Sequence, residues 1–78
     1  MLTDYRVSEN QSLYDVALQH YGSIEAVYKL IKDNLDKVVS LDSDLVGGMI
    51  LKINPDHVIE QYLVDYFKLN NIIIATGN

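Results

Sequence analysis

The chain has 78 residues and no cysteine, and its formal charge is −5, from six Lys and Arg against eleven Asp and Glu. That length allows one compact domain with a small core. The missing cysteine excludes disulfides and thiolate zinc sites, and the acidic balance argues against nucleic acid and anionic membrane surfaces, which both reward a basic footprint. Apolar residues make up 49%, too many for a disordered chain, and Tyr supplies six of the aromatics.

Residues 2–8 read as a first strand, with Thr3, Tyr5 and Val7 on one face and Asp4 and Arg6 on the other. Glu9, Asn10 and Gln11 form a polar turn. Ser12 follows as a helix N-cap, with Asp15 three residues on as an imperfect capping box. Leu13, Val16, Ala17 and Tyr21 then make a helical stripe, which Gly22 ends. Ser23 caps a second helix at once, with Ile24, Val27, Tyr28 and Ile31 on its apolar side and Ala26 and Leu30 widening it. So short a connection makes the two helices neighbours in space.

Asn34 closes the second helix. Residues 35–44 are a longer connection rich in turn formers, and Gly47-Gly48 is the strongest turn signal in the chain. Residues 49–53 read as a strand with Met49, Leu51 and Ile53 on one face. Asn54-Pro55 restarts a helix, since Pro at the first helical position sacrifices no hydrogen bond. Its apolar face holds Val58, Ile59, Tyr62, Leu63, Tyr66 and Phe67, and Val64 widens it. After Asn70-Asn71, the β-branched run Ile72-Ile73-Ile74 suits a short buried strand. The expected fold class is α+β: a β-α-α-β order followed by a C-terminal helix and a short strand.

The N-terminus has no basic stretch followed by an apolar core, so no signal peptide is expected. No apolar run nears the roughly 20 residues of a spanning helix. The expectation is a chain that is cytoplasmic as synthesised.

Several of these residues also carry a family resemblance. Tyr5-Arg6-Val7, then Glu9 through Ala17, resembles the opening of a LysM domain, in which a strand ending in Val leads through a polar turn to a helix with a Val-Ala or Ile-Ala pair. Tyr21-Gly22 is similar to that family's helix-ending pair. Asn34 falls where the family has an Asn after its second helix, and Leu45, Gly48, Leu51 and Ile53 match its closing pattern. Asn10-Gln11-Ser12 departs from the usual Gly-Asp-Thr. Gly47 stands where Pro is common, Pro55 falls one place late, and the second loop is longer than usual.

The resemblance covers residues 1–54 and implies that the first two strands form a two-stranded antiparallel sheet; residues 55–78 read as a helix-strand extension packed on that module. It implies a groove for N-acetylglucosamine-containing glycan lined by Asn10, Gln11, Ser12, Asp42, Ser43, Asp44 and Leu45. Tyr14, off the helical stripe, is the best exposed ring beside that groove. The same residues read equally as turn and cap formers. Most of the other Tyr lie on helical stripes and read as core.

His20 and His57 do not share a metal-ligand spacing and read as solvated or capping residues. The Asp42-Ser43-Asp44 run lacks the spacing of a calcium loop. No nucleophile elbow, phosphate loop or catalytic pair stands out. The expectation is therefore a chain without catalytic residues, metal or cofactor. The C-terminal segment carries more apolar surface than a mini-domain needs, and Ile59, Tyr62, Leu63, Tyr66, Phe67 and Ile73 are the expected interface with another copy or another assembly protein. Short proteins with one LysM-like unit resemble phage-tail and baseplate components. The leading reading is thus a non-enzymatic structural protein of a virion or tail-like particle, and the alternative is a peptidoglycan or N-acetylglucosamine-oligomer binder.

Overall fold

The computed structural model describes residues 2–41 and 44–76. They form a small α+β domain with a two-stranded antiparallel sheet and three helices. The order is β1 (Thr3–Arg6), α1 (Leu13–Tyr21), α2 (Val27–Lys32), β2 (Ile50–Ile53) and α3 (Gln61–Leu69). Single 3-10 turns, Ile24–Ala26 and Pro55–His57, precede α2 and α3.

β1 and β2 pair with Thr3 opposite Ile53 and Arg6 opposite Ile50. The pairing continues past the strands, as Val7 N–H donates to Met49 C=O and Gly48 N–H to Val7 C=O. Gly48 takes φ 93° in the turn that Met49 N–H closes onto Val46 C=O. That left-handed region is the reason for glycine there. So short a ribbon is not stable alone. It is stabilised by Leu51 and Ile53, which pack against Val7, Leu13, Val16, Ala17, Tyr21, Ala26, Val27, Leu30 and Val38 in one core. Each fully buried Val, Leu or Ile of that core contributes roughly 1.5–3 kcal/mol of transfer free energy.

Local sequence sets α1 directly. Ser12 Oγ accepts from Asp15 N–H while the Asp15 carboxylate accepts from Ser12 N–H, so the capping box is complete in both directions. All four stripe residues, Leu13, Val16, Ala17 and Tyr21, are buried. Gly22 ends the helix at φ 79°, and a Cβ there would run into the Glu60 carbonyl.

Three elements depart from the sequence reading. The chain after Ser23 winds first as a 3-10 turn, which advances about 120° per residue instead of about 100°. Over three residues this turns the helix by about 60°. Ala26, Val27 and Leu30 face the core, while Ile24 and Tyr28 are exposed.

The helix expected from Pro55 is interrupted at Val58, which is extended (ψ 128°). Here Ile59 N–H and Glu60 N–H both donate to Tyr21 C=O, a carbonyl that the end of α1 leaves open. α3 therefore starts only at Gln61. Its one fully buried residue is Val64; of the stripe, Tyr62 and Tyr66 are exposed and Leu63 and Phe67 half-buried.

Residues 72–74 form no strand; Ile72 N–H donates to Phe67 C=O at the end of α3, and the Ile74 main chain bonds to side chains of α1 and the turn before it.

Two polar knots fix the elements. Asn34, buried at the end of α2, donates to Leu30 C=O (2.8 Å) and Lys52 C=O (2.9 Å) and accepts from Lys52 N–H (2.6 Å). Its side chain thus serves as a third strand residue beside β2. The second knot is the Tyr21 hydroxyl, which donates to Asp33 and accepts from Asn54 N–H, while His57 Nδ1 lies 2.9 Å from the same Asp33 carboxylate. Burial pushes the Tyr21 hydroxyl pKa up to about 12 against the partial relief of the Asn54 N–H. Among the described residues no helix is long and apolar enough to cross a membrane.

Candidate functional site

Three surfaces bear on function: the paired loops beside the sheet end, the side of α1 that carries the tail, and the outer face of α3.

The loops do meet. Gly47 lies against the Glu9 side chain, so the turn before α1 and the loop before β2 are neighbours. Asn10 is exposed at φ 65°, and Gly48 opens to solvent. Ser12 is half-buried and engaged in its capping box. Asp44 is exposed, whereas Leu45 is half-buried against the core. Asp42 and Ser43 lie outside the described residues. Tyr14 is 42% exposed on the solvent side of α1.

Gln11 stands apart from this group. It is only 4% exposed, and its amide is fully engaged. Its Oε1 accepts from Ser8 N–H (2.9 Å) and from the Tyr5 hydroxyl (2.6 Å), while its Nε2 donates to Gln19 Oε1 (2.9 Å) and to Ile74 C=O (2.8 Å). The chain's own tail thus takes the contact that the resemblance gave to a ligand.

Gln19, which no sequence signal singled out, is the centre of the second surface. Its Oε1 also accepts from Ile74 N–H, and its Nε2 lies 3.3 Å from His20 Nε2. An amide nitrogen can only donate, so His20 Nε2 accepts and its proton resides on Nδ1. The ring packs on Tyr5 with centroids 4.1 Å apart. Burial, and then the charge of Lys68, lower its pKa to about 4, so His20 is neutral at pH 7. A hollow of about 280 Å³ lies between α1 and the tail, lined by Gln19, His20, Phe67, Lys68 and Ile72 among others. Farther along α1, Asp15 accepts from Thr76 N–H (2.8 Å) and from its hydroxyl (2.6 Å). His20 and His57 sit in different surroundings, and among the described residues no group of three potential ligands could hold a metal.

The third surface is apolar. Ile59, Tyr62, Tyr66 and Ile73 are exposed, and Leu63 and Phe67 are half-buried. Tyr62 is 77% exposed and Leu69, absent from the expected set, 83%. Positions 62, 66 and 69 recur at helical spacing, so they line one side of α3. Of the six Tyr, only Tyr21 is fully buried and Tyr5 half-buried; Tyr14, Tyr28, Tyr62 and Tyr66 are exposed, against the expectation that most were core. A further set of exposed apolar side chains, Val39, Leu41 and Val46, lies on the loop between α2 and β2.

In comparisons with protein-family models, with curated proteins and with solved structures, nothing matches this chain.

Proposed function

We propose that the chain is a non-enzymatic assembly module of a tail- or baseplate-type particle. It uses a LysM-like frame as scaffold and the outer face of α3 as the surface that joins it to a second copy. The frame reading is supported by the β-α-α-β order with antiparallel end strands, and by the Asn after the second helix bonding back to β2.

The observation that carries the assembly reading is the row Tyr62, Tyr66 and Leu69, exposed along α3, whose inner side already holds it to α1, with Ile59 before the helix and Ile73 after it exposed as well. Large side chains left outside a small core serve association better than stability, because Tyr and Leu bring apolar area with little rotamer entropy to lose.

The test is sedimentation over a concentration series. The wild-type mass is expected to rise above 8.9 kDa with concentration. The Tyr62→Lys/Tyr66→Lys double variant, substituted only at exposed positions, is expected to stay folded and monomeric. A wild-type chain that remains monomeric to millimolar concentration overturns the reading.

A second reading, a binder of N-acetylglucosamine oligomers, is favoured by one feature, the exposed Tyr14 close in sequence to the exposed Asn10. Against it stands the engagement of Gln11 by the tail. Amide shifts at residues 10–14 and 44–48 on titration with chitin oligomers would support it, and unmoved spectra at millimolar sugar would remove it.

A further inference from the structure

We propose that the side of α1 carrying Asp15 and Gln19, together with Gln11, is a binding site for an extended peptide, filled here by the chain's own residues 72–76 and able to receive the same segment from a second copy. This inference is independent of what the α3 face joins.

The site treats the tail as a sheet edge would. In an antiparallel ladder, a hydrogen-bonded residue exchanges both its N–H and its C=O with its partner. Here Ile74 gives its N–H to Gln19 Oε1 and its C=O to Gln11 Nε2, and the two amides are bonded to each other. The linked side chains thus offer one acceptor and one donor, the pattern of a facing strand residue. Two residues on, Thr76 offers its N–H and hydroxyl to the two oxygens of Asp15.

The spacing fits the same geometry. Gln19 and Asp15 are four residues apart on α1, a rise of about 6 Å. Ile74 and Thr76 are two residues apart, and two residues of a peptide bound in extended form span about 6.6 Å. The pairing runs opposite to the helix, Gln19 with Ile74 and Asp15 with Thr76. Contacts to main chain recognise extension, and the Asp15–Thr76 hydroxyl contact recognises a hydroxyl side chain at that register.

The seat also favours exchange. The tail leaves α3 through Asn71 at φ 53°, and it lies over the hollow beside Phe67 and His20 instead of against close-packed core. Ile72 and Ile74 are half-buried and Ile73 is exposed, so little apolar surface holds the segment down. A tethered segment competes for its own site at an effective concentration of about millimolar. A free copy of the segment therefore binds strongly only where the tethered one has been weakened.

The experiment uses the full chain and a fluorescent peptide with the sequence of residues 70–76. In an Ile74→Pro variant the tail has no N–H for Gln19, while every group of the site remains. That variant is expected to keep the melting cooperativity and far-ultraviolet spectrum of wild type and to bind the peptide saturably. Wild type is expected to bind it at least tenfold more weakly. A peptide carrying Thr76→Val is expected to lose most of its affinity for the variant. The proposal is overturned if the folded variant binds no peptide, if wild type and variant bind it equally, or if the Val peptide binds as well as the Thr one. Unfolding of Ile74→Pro also overturns it, because the segment is then part of the core and not a docked ligand. The Tyr62→Lys/Tyr66→Lys substitutions are expected to leave peptide binding unchanged, which separates this site from the α3 face.

Discussion

Asn34→Ala is the perturbation with the most calculable consequence. The substitution removes three hydrogen bonds, at 2.6, 2.8 and 2.9 Å, from a fully buried side chain. Each contributes about 1 kcal/mol net. The truncation also leaves the Lys52 N–H and C=O without their side-chain partner. Both bonds are part-buried, on the edge of β2 that does not pair with β1, so the added penalty is taken as a fraction of the fully buried value. The sum is about 3 kcal/mol.

A chain of this length has roughly 4–12 kcal/mol of stability in all, so the loss takes a quarter or more of it. The melting temperature is expected to fall by about 12–24 °C at 4–8 °C per kcal/mol. Urea unfolding is the assay, with the midpoint lowered and the slope unchanged, because the surface exposed on unfolding is the same. Asn34→Asp is the informative partner variant. It keeps an acceptor for Lys52 N–H but presents oxygens to two carbonyls, and is expected to be at least as damaging near neutral pH. A loss below about 1 kcal/mol for Asn34→Ala would refute the claim that this side chain joins α2 to the sheet.

Other outcomes follow from single contacts. Gly22→Ala imposes a left-handed conformation on an L-residue and drives a Cβ into the Glu60 carbonyl, so a loss of about 2 kcal/mol or more is expected in chemical denaturation. His20 gives a pH dependence: its pKa is about 4 in the folded chain, against 6.5 for an unperturbed histidine. Between these values the unfolded chain binds the proton and the folded chain does not. Stability is therefore full above pH 6.5 and falls as pH drops toward 4, by on the order of 3 kcal/mol. A His20→Gln variant is expected to lose that part of the acid sensitivity, read as the difference between the two stability–pH curves; parallel curves would contradict it. Ser12→Ala removes one arm of the capping box and is expected to cost about 1 kcal/mol in melting experiments.

What was legible in the sequence was local. Ser12, Asp15, the Leu13–Tyr21 stripe and Gly22 specify α1 by spacing and caps within about ten residues, and the structure has each in that role. Alternation made the first strand and the stretch after Gly47-Gly48 legible as strands, and the family resemblance implied their pairing, which the structure has. The misread elements depend on contacts that no local window contains. The face of α2 turned because its first residues wind as a 3-10 turn. The start of α3 moved because the Tyr21 carbonyl, far upstream in the chain, takes two N–H donors there. Ile72–Ile74 has the composition of a strand, but Ile72 N–H bonds to Phe67 C=O and the main chain of Ile74 to the side chains of Gln11 and Gln19, which make no ladder and leave no periodic trace. For the same reason Gln19 and Thr76 were invisible as site residues. The stripe of α3 was legible as apolar surface beyond what the core needs, but that Val64 is the residue it buries, with Leu63 and Phe67 only half-buried, was not.

The most direct measurement is an isotope-filtered NMR experiment on a mixture of labelled and unlabelled chains at millimolar concentration. If the α3 face joins copies, cross-peaks between chains are expected from the Tyr62 and Tyr66 rings and the Leu69 methyls, and they vanish in Tyr62→Lys/Tyr66→Lys. Absence of cross-peaks between chains, or cross-peaks confined to the loops around Asn10 and Leu45, would contradict it.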